Sequence, residues 1–203
     1  RSLNYLPLYV TVGGNLKTYY LEHIGGAVHI AGNLDVGYFE TDRYPTKEGW
    51  DDYDFIYINN YYAYNNFTEL HVGGNIVSPD LYVGDFPENE LQLQQENDSI
   101  RAEAILVTVG GDVVVDNLIY ISSGVVNVDG AIKTTSSDFP QTICIYGGKV
   151  TAGSMDSATA ILIGHFNDIY EKNDEISVTV LGNMTAAYEI DIEGGNIDVG
   201  GAI

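Results

Sequence analysis

The sequence predicts an all-β chain, a single-domain β-solenoid of about eleven coils of about 17–19 residues each. Three observations carry this: a short phrase that recurs along the whole chain, apolar and polar residues that alternate within it, and a glycine at its fifth place. The phrase is apolar-x-apolar-x-Gly-x-apolar. It opens at Val10-Thr11-Val12-Gly13-Gly14-Asn15-Leu16 and returns from Val28, Leu70, Val107, Val126, Cys144, Val178 and Ile197. Successive openings are 18, 42, 37, 19, 18, 34 and 19 residues apart. The short intervals read as one coil and the long ones as two coils plus insertion, with weaker copies at Phe55-Ile56-Tyr57-Ile58, Leu91-Gln92-Leu93 and Ile161-Leu162-Ile163. A larger unit repeats too, over Val10 to Leu34, Val107 to Ile132 and Val178 to Ile203.

Each part of the phrase has a physical reason. Alternation with a period of two puts Val10, Val12 and Leu16 on one face of a strand and Thr11 and Asn15 on the other. The apolar face turns inward, because one coil cannot bury it until the next coil stacks on it. Glycine supplies the corner: it reaches positive φ without steric cost and lets backbone approach closely. Gly14, Gly32, Gly74, Gly111, Gly130, Gly148, Gly182 and Gly201 are therefore expected in one column. Beside them Asn15, Asn33, Asn75, Asp112 and Asn183 are expected to form a partial Asn/Asp ladder, in which each side chain hydrogen-bonds its own turn.

The 203 residues and 45% hydrophobic content suit one extended core. The 23 glycines fall at coil spacing, and no Gly/Ser or Pro-rich linker divides the chain, so one domain over 1–203 is expected, with insertions at 35–69, 84–105 and 164–177. No run of apolar residues is long enough to span a membrane as a helix, and no basic and apolar leader is seen. Arg1 at one end and a phrase broken off at Ile203 at the other make both ends read as cut or processed. A single cysteine, Cys144, excludes an internal disulfide framework and reads as a small buried hydrophobe. Sequons at Asn66, Asn97 and Asn183 do not fix a compartment; an extracellular or cell-surface setting is favoured over the cytoplasm.

The 29 acidic residues stand against 8 basic ones, a net charge of −21. Such a surface repels nucleic acid and anionic lipid and attracts cationic proteins or divalent cations. Its simpler reading is solubility, since the outward positions of a solenoid must be polar. Asp35 to Glu69 departs most from the repeat. Trp50, Tyr53, Tyr57, Tyr61, Tyr62 and Tyr64 lie there with Asp51, Asp52 and Asp54, and these nine are the candidate partner-binding residues. Stiff, amphipathic aromatic side chains on a projecting loop suit sugar rings or a protein partner. The alternative is that they fold the insertion onto a solenoid flank.

No catalytic constellation or cofactor motif is found. The acidic clusters Asp51/Asp52/Asp54, Asp112/Asp116 and Asp168/Asp174/Glu175 have no diagnostic spacing for glycoside cleavage, an EF-hand or a calcium-binding nonapeptide repeat. Weak calcium binding is the one metal chemistry left open. His29 and His71 share an outward position but fall in coils counted as non-adjacent, so they read as exposed strand residues. Thr11, Thr108 and Thr179 share it too, without the T-x-T ladder of an ice-binding face.

The coil of about eighteen residues with V-x-V-x-G-N/D-apolar at a corner resembles the bactofilin group and similar polymer-forming bacterial β-solenoids. That resemblance implies stacked coils whose uncapped ends assemble end to end. Bactofilin cores are shorter and more regular than this chain. The segment Tyr61-Tyr62-Ala63-Tyr64-Asn65-Asn66-Phe67-Thr68-Glu69-Leu70-His71-Val72-Gly73-Gly74-Asn75 is similar to a tyrosine-rich segment of bacterial solenoid proteins, some of which look like partners of toxins. Neither likeness transfers a catalytic residue. The expectation is a non-enzymatic structural or assembly scaffold. A binding module for carbohydrate or for a cationic protein, such as a toxin partner, is the alternative, and a polysaccharide-active enzyme comes last.

Overall fold

The computed structural model describes residues 9–37, 55–59, 67–84, 105–136, 142–164 and 176–203. Among them every regular element is a β-strand and every strand pairing is parallel. The chain passes through three strand positions in turn, and one such pass is called a tier below. The first tier is β1 (Tyr9–Val12), β2 (Leu16–Thr18) and β3 (Leu21–Ile24); the second is β4 (Gly26–Ile30), β5 (Leu34–Val36) and β6 (Phe55–Asn59). Then come β7 (Thr68–Val72), β8 (Ile76–Ser78) and β9 (Asp80–Val83), followed by β10 (Ile105–Val109), β11 (Val113–Val115) and β12 (Ile119–Ile121). The fifth and sixth tiers each run through their first corner as one long strand, β13 (Val125–Thr134) before β14 (Thr142–Ile145) and β15 (Lys149–Ser157) before β16 (Ala160–Ile163). The seventh holds β17 (Ser177–Val180), β18 (Met184–Ala186) and β19 (Glu189–Ile192), and β20 (Asn196–Val199) pairs with β17. The first and second positions make a 13-stranded sheet, and the third makes a 7-stranded sheet of β3, β6, β9, β12, β14, β16 and β19.

The register explains the apolar phrase. Val10, Val28, Leu70, Val107, Val126, Val150, Val178 and Ile197 are successive partners across tiers, and so are Leu16, Leu34, Ile76, Val113, Ile132, Met155 and Met184 at the second position. The inner members of these files form one apolar core with Ile56, Leu81, Ile119, Ile143 and Ile161 of the third position. Ile30, Leu34, Ile56, Leu70 and Ile76 are fully buried. Each such side chain stabilises the stack by about 1.5–3 kcal/mol relative to leaving it in water. Along the files through Val10 and Leu16 apolar sits on apolar at every tier, whereas the buried file Ser78, Val115 and Thr134 mixes hydroxyl and methyl groups.

The first corner shows why glycine recurs. The Oδ1 of Asn15 accepts the backbone N–H of Asn33 at 2.8 Å, Asn33 serves Asn75 at 2.9 Å, and Asn75 serves Asp112 at 2.8 Å. Asp112 continues to Ala131 at 2.8 Å, and Asn183 bonds Ala202 at 3.0 Å. The expected Asn/Asp ladder is present, although each side chain satisfies the turn of the next tier rather than its own. A Cβ on Gly32, Gly74, Gly111, Gly130 or Gly201 would fall on the ladder oxygen of the neighbouring tier. These glycines are thus required by close approach. Positive φ belongs to a second set at the third corner, including Gly25, Gly84, Gly124 and Gly148.

Three expectations are corrected. The sixth opening of the phrase is Val150, not Cys144, and the sixth glycine of the column is Gly153, not Gly148: Val150 pairs with Val126 and Val178, while Cys144 pairs with Tyr120 and Leu162 in the other sheet. The corner after Ala152 is one residue short, with a register shift between Val128 and Ala131 on its partner, so it no longer matches the phrase. Two of the strands counted toward about eleven coils, Phe55–Asn59 and Ala160–Ile163, are third-position strands of tiers already counted, and a third, Leu91-Gln92-Leu93, lies outside the described residues, which hold seven tiers and the first strand of an eighth. The expected insertion 35–69 is interrupted by β6 and overlaps β5 and β7; residues 38–54 and 60–66 lie outside the described residues, as do 85–104 and 165–175 of the other two expected insertions.

The ladder makes a stability test. Asn75→Ala leaves the Asp112 N–H without its acceptor and is expected to cost about 1 kcal/mol, while Asn75→Asp keeps the acceptor and should cost less. Gly111→Ala drives a methyl onto Asn75 Oδ1 and the Gly74 backbone and is expected to cost about 1–3 kcal/mol. Urea unfolding of the three variants measures this, and a harmless Gly111→Ala would contradict the close-approach account.

Candidate functional site

The outward side of the 7-stranded sheet carries a file of aromatic residues. Across successive tiers the partners are Glu22, Tyr57, Tyr82, Tyr120, Cys144, Leu162 and Asp191. Strand alternation places them outward, since Ile56, Leu81, Ile119 and Ile143, each one residue earlier, lie in the core. Phe55 meets Tyr82 edge to face, with ring centroids 6.0 Å apart. Tyr82 and Tyr120 are 6.4 Å apart, and Tyr120 and Tyr146 are 5.2 Å apart, both pairs tilted. Parallel pairing brings equivalent side chains within reach, and aromatic pairs of this kind are worth about 0.5–1.5 kcal/mol beyond their buried area. Tyr57, Tyr82, Tyr120 and Tyr146 are consequently half-buried although they point away from the core.

Burial sets the chemistry of the file. It pushes the Tyr82 phenol up to about 12, helped by the Asp80 carboxylate on the same strand. Asp80 is itself raised by burial, against the opposing effect of the Leu118 N–H that its Oδ1 accepts at 2.9 Å. Burial also raises Tyr146, with Cys144 adding to the effect, and raises the Cys144 thiol, which a hydrogen bond with Tyr146 partly offsets. A buried thiol with a raised pKa is a poor nucleophile, so Cys144 fits packing better than catalysis.

Of the nine residues proposed from the sequence, the described structure contains Tyr57, and it lies at one end of this tyrosine file. Trp50, Asp51, Asp52, Tyr53, Asp54, Tyr61, Tyr62 and Tyr64 lie outside the described residues. Tyr82, Tyr120 and Tyr146 went unremarked, though a signal existed. Ile56-Tyr57-Ile58, Leu81-Tyr82-Val83 and Ile119-Tyr120-Ile121 are one apolar-Tyr-apolar triplet repeated in consecutive tiers.

The acidic pair Asp112 and Asp116 is engaged at two successive corners. Asp112 accepts the Ala131 N–H, which holds its carboxyl below the usual range, with Lys133 Nζ 3.4 Å from Oδ2; Asp116 accepts the Thr135 hydroxyl at 2.8 Å. Asp168, Asp174 and Glu175 lie outside the described residues. Among the described residues no three His, Cys, Asp or Glu side chains are gathered as a ready-made metal site, and no helix is long and apolar enough to cross a membrane. Comparison of the chain with known protein families, with curated proteins and with solved structures finds no match.

The raised Tyr82 gives an alkaline prediction. A phenol whose folded value lies above its unfolded one, near 10, contributes stability that is complete below about pH 10 and is lost as pH rises through about 12. Absorbance titration at 295 nm should show a late tyrosine step that Tyr82→Phe diminishes, the raised Tyr146 remaining in it. All tyrosines ionising together near pH 10 would contradict the burial of the file.

Proposed function

We propose that the chain is a β-solenoid and that its work is structural, as a non-enzymatic scaffold that assembles by adding further tiers to its stack. The observation behind this reading is register. The first strand position is eight strands deep, running β1, β4, β7, β10, β13, β15, β17 and β20, and its inward files through Val10 and Val12 hold apolar side chains at every tier. At about 4.8 Å per strand this stack is roughly 35–40 Å tall. A second copy, or further residues of the same chain, would add to the outer edge of β1 or β20 through the same backbone hydrogen bonds. The likeness of the corner phrase to the bactofilin group favours the same reading.

The tyrosine file favours a second reading, a binding module for carbohydrate or for a cationic protein. Its aromatic surface suits sugar rings, and the net charge of −21 suits a basic partner. Screening within about 8 Å at physiological salt would weaken the protein version of that complex.

Negative-stain electron microscopy over a concentration series separates the two. The scaffold reading predicts rods that lengthen with concentration at physiological salt. Rods of a single length at every concentration would overturn it and leave the binding-module reading.

A further inference from the structure

The first strand position carries an outward histidine pair that the stacking brings together. His29 of β4 and His71 of β7 are direct cross-strand partners, in adjacent tiers rather than separated ones. Their ring centroids are 5.7 Å apart. Glu69 lies two residues before His71 on the same side of β7, and its Oε1 is 3.6 Å from His29 Nε2. At the other tiers this outward file holds Thr11, Thr108, Asn127, Thr151, Thr179 and Asp198, so the strand itself has no need of imidazole there.

The distances fit two ligands of one ion better than a hydrogen bond. A separation of 3.6 Å is too long for a good N–H···O bond. Two donor atoms bound at about 2.0–2.2 Å lie about 2.9–3.6 Å apart over angles from octahedral to tetrahedral, and two imidazole rings on the same ion have centroids about 4.5–5 Å apart. The surrounding charge of −21 draws cations to the surface. We propose that His29, His71 and Glu69 form a surface site for a divalent transition-metal ion of the imidazole-preferring kind, with water completing the shell. The three groups do not converge as they stand. Closing the site would rest on side-chain rotation, which the exposure of both His29 and His71 permits.

The test is calorimetric titration of the tag-free chain with Ni2+, in excess Mg2+ to occupy carboxylate sites. One Ni2+ per chain is expected, bound about ten-fold or more weakly by His29→Ala and by His71→Ala and less severely weakened by Glu69→Gln. His165→Ala, a change outside the described residues, should leave that binding intact. Circular dichroism checks that each variant folds, as the exposed His29 and His71 and the half-buried Glu69 predict. Unchanged binding in both single-histidine variants, loss of binding in His165→Ala, or no binding at millimolar Ni2+ would each overturn the site.

Discussion

The parallel hydrogen bonding between tiers is the constraint on which the rest depends. It sets each residue directly over its counterpart one pass earlier, so a property needed at one tier is needed again at the next. At the first corner that demand is at its tightest. The side-chain oxygen of Asn15, Asn33, Asn75 or Asp112 takes a backbone N–H of the following tier, and it occupies the space a Cβ would need on the adjoining glycine. Glycine and Asn/Asp at this corner are therefore two halves of one contact. Where the ladder lacks its amide or carboxylate, at Ala131 and Ser154, the corner is crossed by the long strands β13 and β15.

That same constraint decided what could be read from the chain before its structure. The inward and outward alternation of Val107 to Val113, the glycine column apart from its sixth member, and the presence of the Asn/Asp ladder are local patterns, and the structure keeps them. The phase at the sixth tier did not. Cys144-Ile145-Tyr146-Gly147-Gly148-Lys149-Val150 fits the phrase by composition, while Val150-Thr151-Ala152-Gly153-Ser154-Met155 is one residue short, and only the pairing of Val150 with Val126 and Val178 separates them. Two of the strands read as separate coils were misplaced for a related reason. A third-position strand such as Phe55–Asn59 is as apolar as a first-position one, and a period of two cannot say which sheet a strand joins.

The candidate surfaces were legible to different degrees. Tyr57 stood out through the aromatic content of its neighbourhood, but its relation to Tyr82 and Tyr120 is a matter of register and needed the tier assignment. His29 and His71 are 42 residues apart in the chain and direct neighbours on the sheet. Short runs of distinct chemistry within the outward files, two imidazoles beside a carboxylate on one sheet and three neighbouring phenols on the other, are what a register-locked stack offers.

The stacking is most exposed to test at the register of the sixth tier, where structure and local pattern disagree. Methyl NOE spectroscopy on the selectively labelled chain reads it directly. Contacts from the Val150 methyls to both Val126 and Val178 are predicted, with Cys144 close to Tyr120 and Leu162. Cys144 in contact with Val126 and Val178, and Val150 remote from both, would contradict the stacking on which the ladder, the core and both surfaces rest.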